Sequence, residues 1–113
     1  MTNRLIVAEK SKVLLNQVVY PMLKKFPQAE KFALCQEIKK AFYDLIRVLV
    51  LANNVRARRT HYLEEADGHQ KLLLILIDVA YQQKYITERK KHQIQLALEE
   101  IGRMIGGWMK ASR

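Results

Sequence analysis

Little in this chain staples or breaks a backbone: its 113 residues include 4 Gly, 2 Pro and 1 Cys. A single cysteine cannot close an internal disulfide, which excludes the stapled scaffolds of small secreted proteins. Cys35 lies in an apolar run, so it reads as a core residue in a reducing compartment. No stretch alternates apolar and polar residues as a half-buried strand would, so strands are not expected. Charges at Arg4, Glu9, Lys10 and Lys12 interrupt any signal-peptide core. Asp44 and Arg47 break the longest apolar stretch short of the roughly 20 residues a membrane helix needs. These absences point to a cytoplasmic protein.

Negative charge is scarce as well. Eleven Asp and Glu face 20 Lys and Arg, a formal net charge of +9. Whatever the fold, some of its surface must be cationic, and polyanions are the partners such a surface attracts. The 50% apolar and 27% charged composition is that of a folded domain and not of a disordered chain. A chain of this length has room for one domain, residues 1–113, burying about two-thirds of the surface its unfolded form exposes.

What the sequence does have is helical periodicity. Cys35, Ile38, Phe42, Leu45, Leu49 and Ala52 recur at spacings of three and four, as do Ile94, Leu98, Ile101, Ile105 and Trp108. Pro27 suits the first turn of a helix, with Glu30 near the positive end of its dipole, and Thr87 before Glu88 is a cap for the last helix. Pro21 falls inside the first helical pattern and should kink it or end it near Tyr20. Polar segments near 53–59 and 84–86 separate the rest. The pattern predicts four helices, about 4–25, 28–55, 59–84 and 88–111, joined by short connections into an all-α, up-and-down antiparallel four-helix bundle.

Two helices carry more apolar surface than one bundle needs. The run from Leu72 to Ile77 includes Leu74, Ile75 and Leu76 and points to every side of its helix, while Ile46, Val48, Val50 and Leu51 lie outside the main stripe of the second helix. This surplus predicts a homo-oligomer; a single chain wrapped around a wide core is the alternative. Gly102 and Gly106 share a helical face that permits close approach of another backbone, with Trp108 as an anchor beside them.

The cationic candidates fall into three groups. Lys39, Lys40, Arg47, Arg56, Arg58 and Arg59 lie on the outer side and end of the second helix; Arg89, Lys90 and Lys91 open the last; Arg103 and Lys110 project from one side of it. Cations in a first turn oppose the helix dipole, which predicts an anion bound there. No zinc-finger, recognition-helix or aromatic sheet motif is present, so nucleic-acid binding should be directed at the backbone.

Other constellations are weaker. His61, Glu65 and His69 share a helical face, but two His eight residues apart span about 12 Å, too far to grip one ion. No Glu-x-x-His of the di-iron bundles occurs, and no cofactor is expected. Arg56 and His61 form an Arg-x4-His similar to the ribonuclease motif of HEPN bundles, although Ala57 stands where those nucleases carry a polar residue.

Several phrases taken together resemble one family. Tyr20-Pro21-Met22-Leu23, Phe26-Pro27, Lys31-Phe32-Ala33-Leu34 with Gln36 and Ile38, and the closing run from Glu100 through Gly102-Arg103-Met104-Ile105-Gly106-Gly107 to Trp108 are similar to the Avd proteins. These are the accessory variability determinants of diversity-generating retroelements. The bundle proteins encoded in intervening sequences of 23S ribosomal RNA genes are a related family, with an unspecified RNA or structural role. The Avd resemblance implies a basic homopentamer of four-helix bundles without catalytic activity. It further implies partnership with the retroelement's reverse transcriptase and with template RNA or cDNA, supporting mutagenic reverse transcription and retrohoming. Of the family's phrases only Arg103 carries over as a possible nucleic-acid contact.

Overall fold

A computed structural model describes residues 3–112. It is all-α, an elongated body of 43 × 24 × 22 Å. Helix α1 (Asn3–Leu14) runs through a π-helical turn, Leu15–Val19, into the short α2 (Tyr20–Leu23), and the three form one rod. Helices α3 (Leu34–Asn54), α4 (Arg59–Gln82) and α5 (Glu88–Ala111) follow. Each long helix packs on its sequence neighbour and α1 closes the ring against α5, so the four rods form an up-and-down bundle. No helix of the described residues is long and apolar enough to cross a membrane.

Both apolar stripes are core. Ile38, Phe42, Leu45, Leu49 and Ala52 of α3 meet Leu63, Leu73 and Ile77 of α4 and Ile94, Leu98 and Ile105 of α5, all fully buried. Cys35 is buried with them, and desolvation pushes its thiol pKa up. Val48, expected outside the stripe, is also in the core. The helix is buried over a wider arc than a single stripe because it packs against both α1 and α4.

Pro21 does not end the first helix. It has no N–H to bond the carbonyl four residues back, and the chain accommodates it by widening just before it: the Tyr20 amide donates to Leu15, five residues back. The expected helix over 28–55 starts late. Residues Gln28–Glu30 form a 3₁₀ turn, and Ala33 at φ −123°, ψ −99° breaks the helix before Leu34. This segment must reverse the chain, and Lys31 holds the corner by donating from Nζ to the carbonyls of Leu23 (2.8 Å) and Lys24 (2.9 Å). Glu30 accepts from the Leu34 amide and from the Tyr85 hydroxyl (2.7 Å), tying the α2–α3 turn to the α4–α5 turn.

The opposite end is fastened the same way. Arg59, expected on the cationic surface, is 9% exposed; Nε donates to the Ala52 carbonyl (2.7 Å) and Nη2 to Asn53 (3.1 Å). The last carbonyls of α3 have no donors within their own helix, and the tight Arg56–Arg58 turn delivers the first residue of α4 to them. Helix α4 closes with the Tyr85 amide bonded to Ala80 and the Lys84 amide to Tyr81, Lys84 standing at φ 67°. Thr87 caps α5 as expected, its Oγ1 accepting from the Lys90 amide at 3.1 Å.

Candidate nucleic-acid interface

The up-and-down path brings two groups of cations to the two ends of the bundle and leaves a third along its sides. Arg89 and Lys110, at opposite ends of α5, are about 30 Å apart along the helix axis. The turns after α2 and α4 bring Lys24, Lys25, Lys84, Arg89 and Lys90 to one end, and Arg56, Arg58 and Lys110 lie at the other. Lys39, Lys40 and Arg47 lie between, on α3, with Arg103 on α5.

Many of the candidates already have internal partners. Lys40 donates to Asp44 Oδ2 at 2.9 Å, and Arg47 lies 3.6 Å from Oδ1 of the same carboxylate. The Lys40 hydrogen bond holds the Asp44 carboxyl below its ordinary pKa, so this part of the α3 face is half neutralised. Lys39 stands 4.8 Å over the Tyr20 ring, whose hydroxyl meets that of Tyr43. Lys91 pairs with Asp78 at 3.1 Å and lies 4.4 Å over Tyr81. Arg58 packs 5.7 Å from Tyr62. The anion expected at the start of α5 is in part internal: the Asp78 carboxylate pairs with Lys91, while the Lys90 ammonium donates to the Gln93 side-chain carbonyl at 3.0 Å.

Five candidates remain exposed with no ion pair among the described residues: Arg56, Arg58, Arg89, Arg103 and Lys110. Sequence reasoning missed Lys24, Lys25 and Lys84, also exposed and without an ion pair among those residues. They lie in turns, and no periodicity links them until the chain folds. Lys25 and Lys90, 65 residues apart in sequence, line one cleft of about 360 Å³ with Pro21 and Tyr85.

The apolar candidates divide as well. Leu72, Ile75 and Val79 share the outward side of α4, Ile75 61% exposed, while Leu74 and Leu76 are half-buried against the core. Trp108 is 8% exposed and packs within its own chain, the Arg59 guanidinium 6.0 Å from its ring. The close approach at Gly102 is also internal, to Gln70 of α4, whereas Gly106 faces open space.

His61 Nε2 lies 2.8 Å from Glu65 Oε2, and Arg56 is exposed in the turn before it. Among the described residues no group of His, Cys, Asp and Glu is placed to hold a metal ion.

Fold and surface together define a strongly basic, all-helical bundle protein that exposes an apolar stripe on one helix. No curated protein matches the chain. It belongs to the bAvd-like family, whose model matches residues 5–112, and this is the Avd family that the phrases around Tyr20-Pro21 and Gly106-Gly107-Trp108 resemble.

Proposed function

We propose that this chain is a non-catalytic accessory protein of a diversity-generating retroelement. It binds the reverse transcriptase and the template RNA or cDNA through its basic surface, supporting mutagenic reverse transcription and retrohoming. Family membership supports the retroelement context. The observation that carries nucleic-acid binding is the gathering of Lys24, Lys25, Lys84 and Arg89 at one end of the bundle, exposed and outside any ion pair among the described residues. Unpaired cations from separate chain segments are what phosphate neutralisation requires. The stripe on α4 supports assembly into the homopentamer the family implies, which multiplies the charge offered to one polyanion.

The test is titration of RNA at two salt concentrations, with molar mass from light scattering and co-purification with the reverse transcriptase. If about six phosphates are contacted, affinity falls roughly a thousandfold between about 50 and 200 mM salt. Binding that ignores salt, or a monomer that ignores the polymerase, would sink the proposal. His61→Ala should alter neither RNA binding nor RNA integrity.

A further inference from the structure

The basic end that carries the α2–α3 and α4–α5 turns also carries the most exposed large apolar side chain described. Phe32 is 86% exposed. Its position is not loose: Lys31 beside it is bonded to the carbonyls of Leu23 and Lys24, and Glu30 to the Leu34 amide and the Tyr85 hydroxyl. The turn is therefore pinned from both sides to the segments that supply the cations. Lys24 and Lys25 follow directly from α2, and Lys84 and Arg89 flank the α4–α5 turn to which Glu30 is tied. The acidic neighbour Glu30 is spent on those internal bonds; the carboxylates left at this end are the exposed Glu37 in the first turn of α3 and Glu88 at the start of α5, the latter in a cleft with Arg89, Lys91 and His92.

We propose that this end of the bundle is a single-strand site, in which Phe32 stacks on an unpaired base and the surrounding lysines and Arg89 hold the flanking phosphates. The inference rests on the nucleic-acid reading above and narrows it to one end, one strand and one aromatic. A fully exposed phenyl ring leaves its apolar faces in water, and a base is the surface that covers such a face without demanding a particular sequence. A duplex offers no unstacked base, so the ring gains nothing from it; only the cations contribute there. This agrees with the lack of any base-reading motif, since stacking tolerates all four bases. The ligand is an unpaired polynucleotide, RNA or DNA, because ring and cations engage base and phosphate and not the sugar.

The experiment measures the affinity of the full chain for a fluorescently labelled single-stranded 20-mer RNA, the same sequence as DNA, an RNA duplex, and an abasic ribose-phosphate chain of equal length. Phe32→Ala should weaken both single strands by roughly fivefold to a hundredfold and leave duplex and abasic binding and the salt slope unchanged. Phe32→Tyr should retain binding; Phe32→Leu, apolar without a ring, should behave as alanine. Phe32→Trp adds a second readout, because the natural Trp108 is buried: indole fluorescence at position 32 should be quenched by oligouridylate. Equal losses on single strand and abasic chain, no loss in Phe32→Ala, or a Phe32→Leu that binds like the wild type would each overturn the proposal. A Phe32→Ala variant whose molar mass falls would overturn it too, assigning the ring to a second copy of the chain. Wild-type protein that binds none of the ligands at low salt defeats the broader nucleic-acid reading instead, so the two failures are distinguishable.

Discussion

The amide of Gln70 occupies the space that a side chain at Gly102 would need. A Cβ there would stand 2.7 Å from Gln70 Nε2 and 3.0 Å from Cδ, and that nitrogen is fixed by donating to the Leu98 carbonyl at 2.9 Å. Gln70 is 3% exposed, so displacing it would leave a polar group buried without its partner.

Gly102→Ala should therefore destabilise the fold despite alanine's helix preference. The preference is worth up to about 1 kcal/mol, while overpacking and a lost buried hydrogen bond each cost about 1–3 kcal/mol. Gly106→Ala meets nothing within 4 Å and should stabilise by up to about 1 kcal/mol. Urea unfolding of the two variants gives opposite signs; matching signs would remove the Gln70 account.

Lys84 holds a left-handed backbone at φ 67° at the end of α4, a conformation that costs a side-chain-bearing residue about 1 kcal/mol. Lys84→Gly should raise stability by roughly 0.5–1 kcal/mol, and Lys84→Ala should not. Calorimetric melting temperatures separate them, and a Lys84→Gly that melts below the wild type contradicts the prediction.

Asp44 contributes to acid sensitivity. Its pKa is lowered in the folded state by Lys40, so its contribution is fully present above the unfolded value of about 4 and is lost as pH falls through the native value. The pair is exposed on the Lys40 side, at 68%, which limits the effect to below about 1 kcal/mol. The stability gap between wild type and Asp44→Asn should narrow as pH falls below about 4. A gap unchanged down to pH 2 would contradict this.

Ile75, 61% exposed on α4, contributes little to its own bundle. Ile75→Lys should change unfolding stability of the isolated chain by no more than about 0.5 kcal/mol. If the α4 stripe joins copies, light scattering should show the variant's mass falling towards the 13.3 kDa of one chain. A variant that keeps the wild-type mass moves the interface elsewhere, with the α1–α5 cleft near Ile6 and Val13, about 510 Å³, next in line.

The sequence made the interior of the bundle legible because burial repeats: every member of the stripes from Cys35 to Ala52 and from Ile94 to Trp108 lies in the core. Thr87 was legible because a cap is a local bond. Arg59 was not. Its charge reads as surface, and only the folding back of α4 shows that the carbonyls of Ala52 and Asn53 need its guanidinium. Leu72 and Leu73 are alike in sequence, yet one faces outward and the other is fully buried, a difference set by the phase of α4 against its neighbours. The basic end escaped for a related reason: Lys25 and Lys90 share a cleft only after the chain has reversed three times.

The wide turn at Leu15–Val19 sets the rotation of the first rod separately from its length. Val7, Ala8, Ser11, Leu14 and Leu15 mark its buried side up to the start of the turn and Val19, Met22, Leu23 and Phe26 from its end. The five-residue bond from Tyr20 to Leu15 gives this turn one residue more than a regular α-helical turn, whose bonds span four. A residue deleted from this turn leaves an ordinary helix with both halves still facing inward. The same deletion in the middle of α3 or α4 rotates every later core side chain by about 100° towards solvent. The first rod thus holds a turn from which a residue inside a helix can be removed and the packing kept.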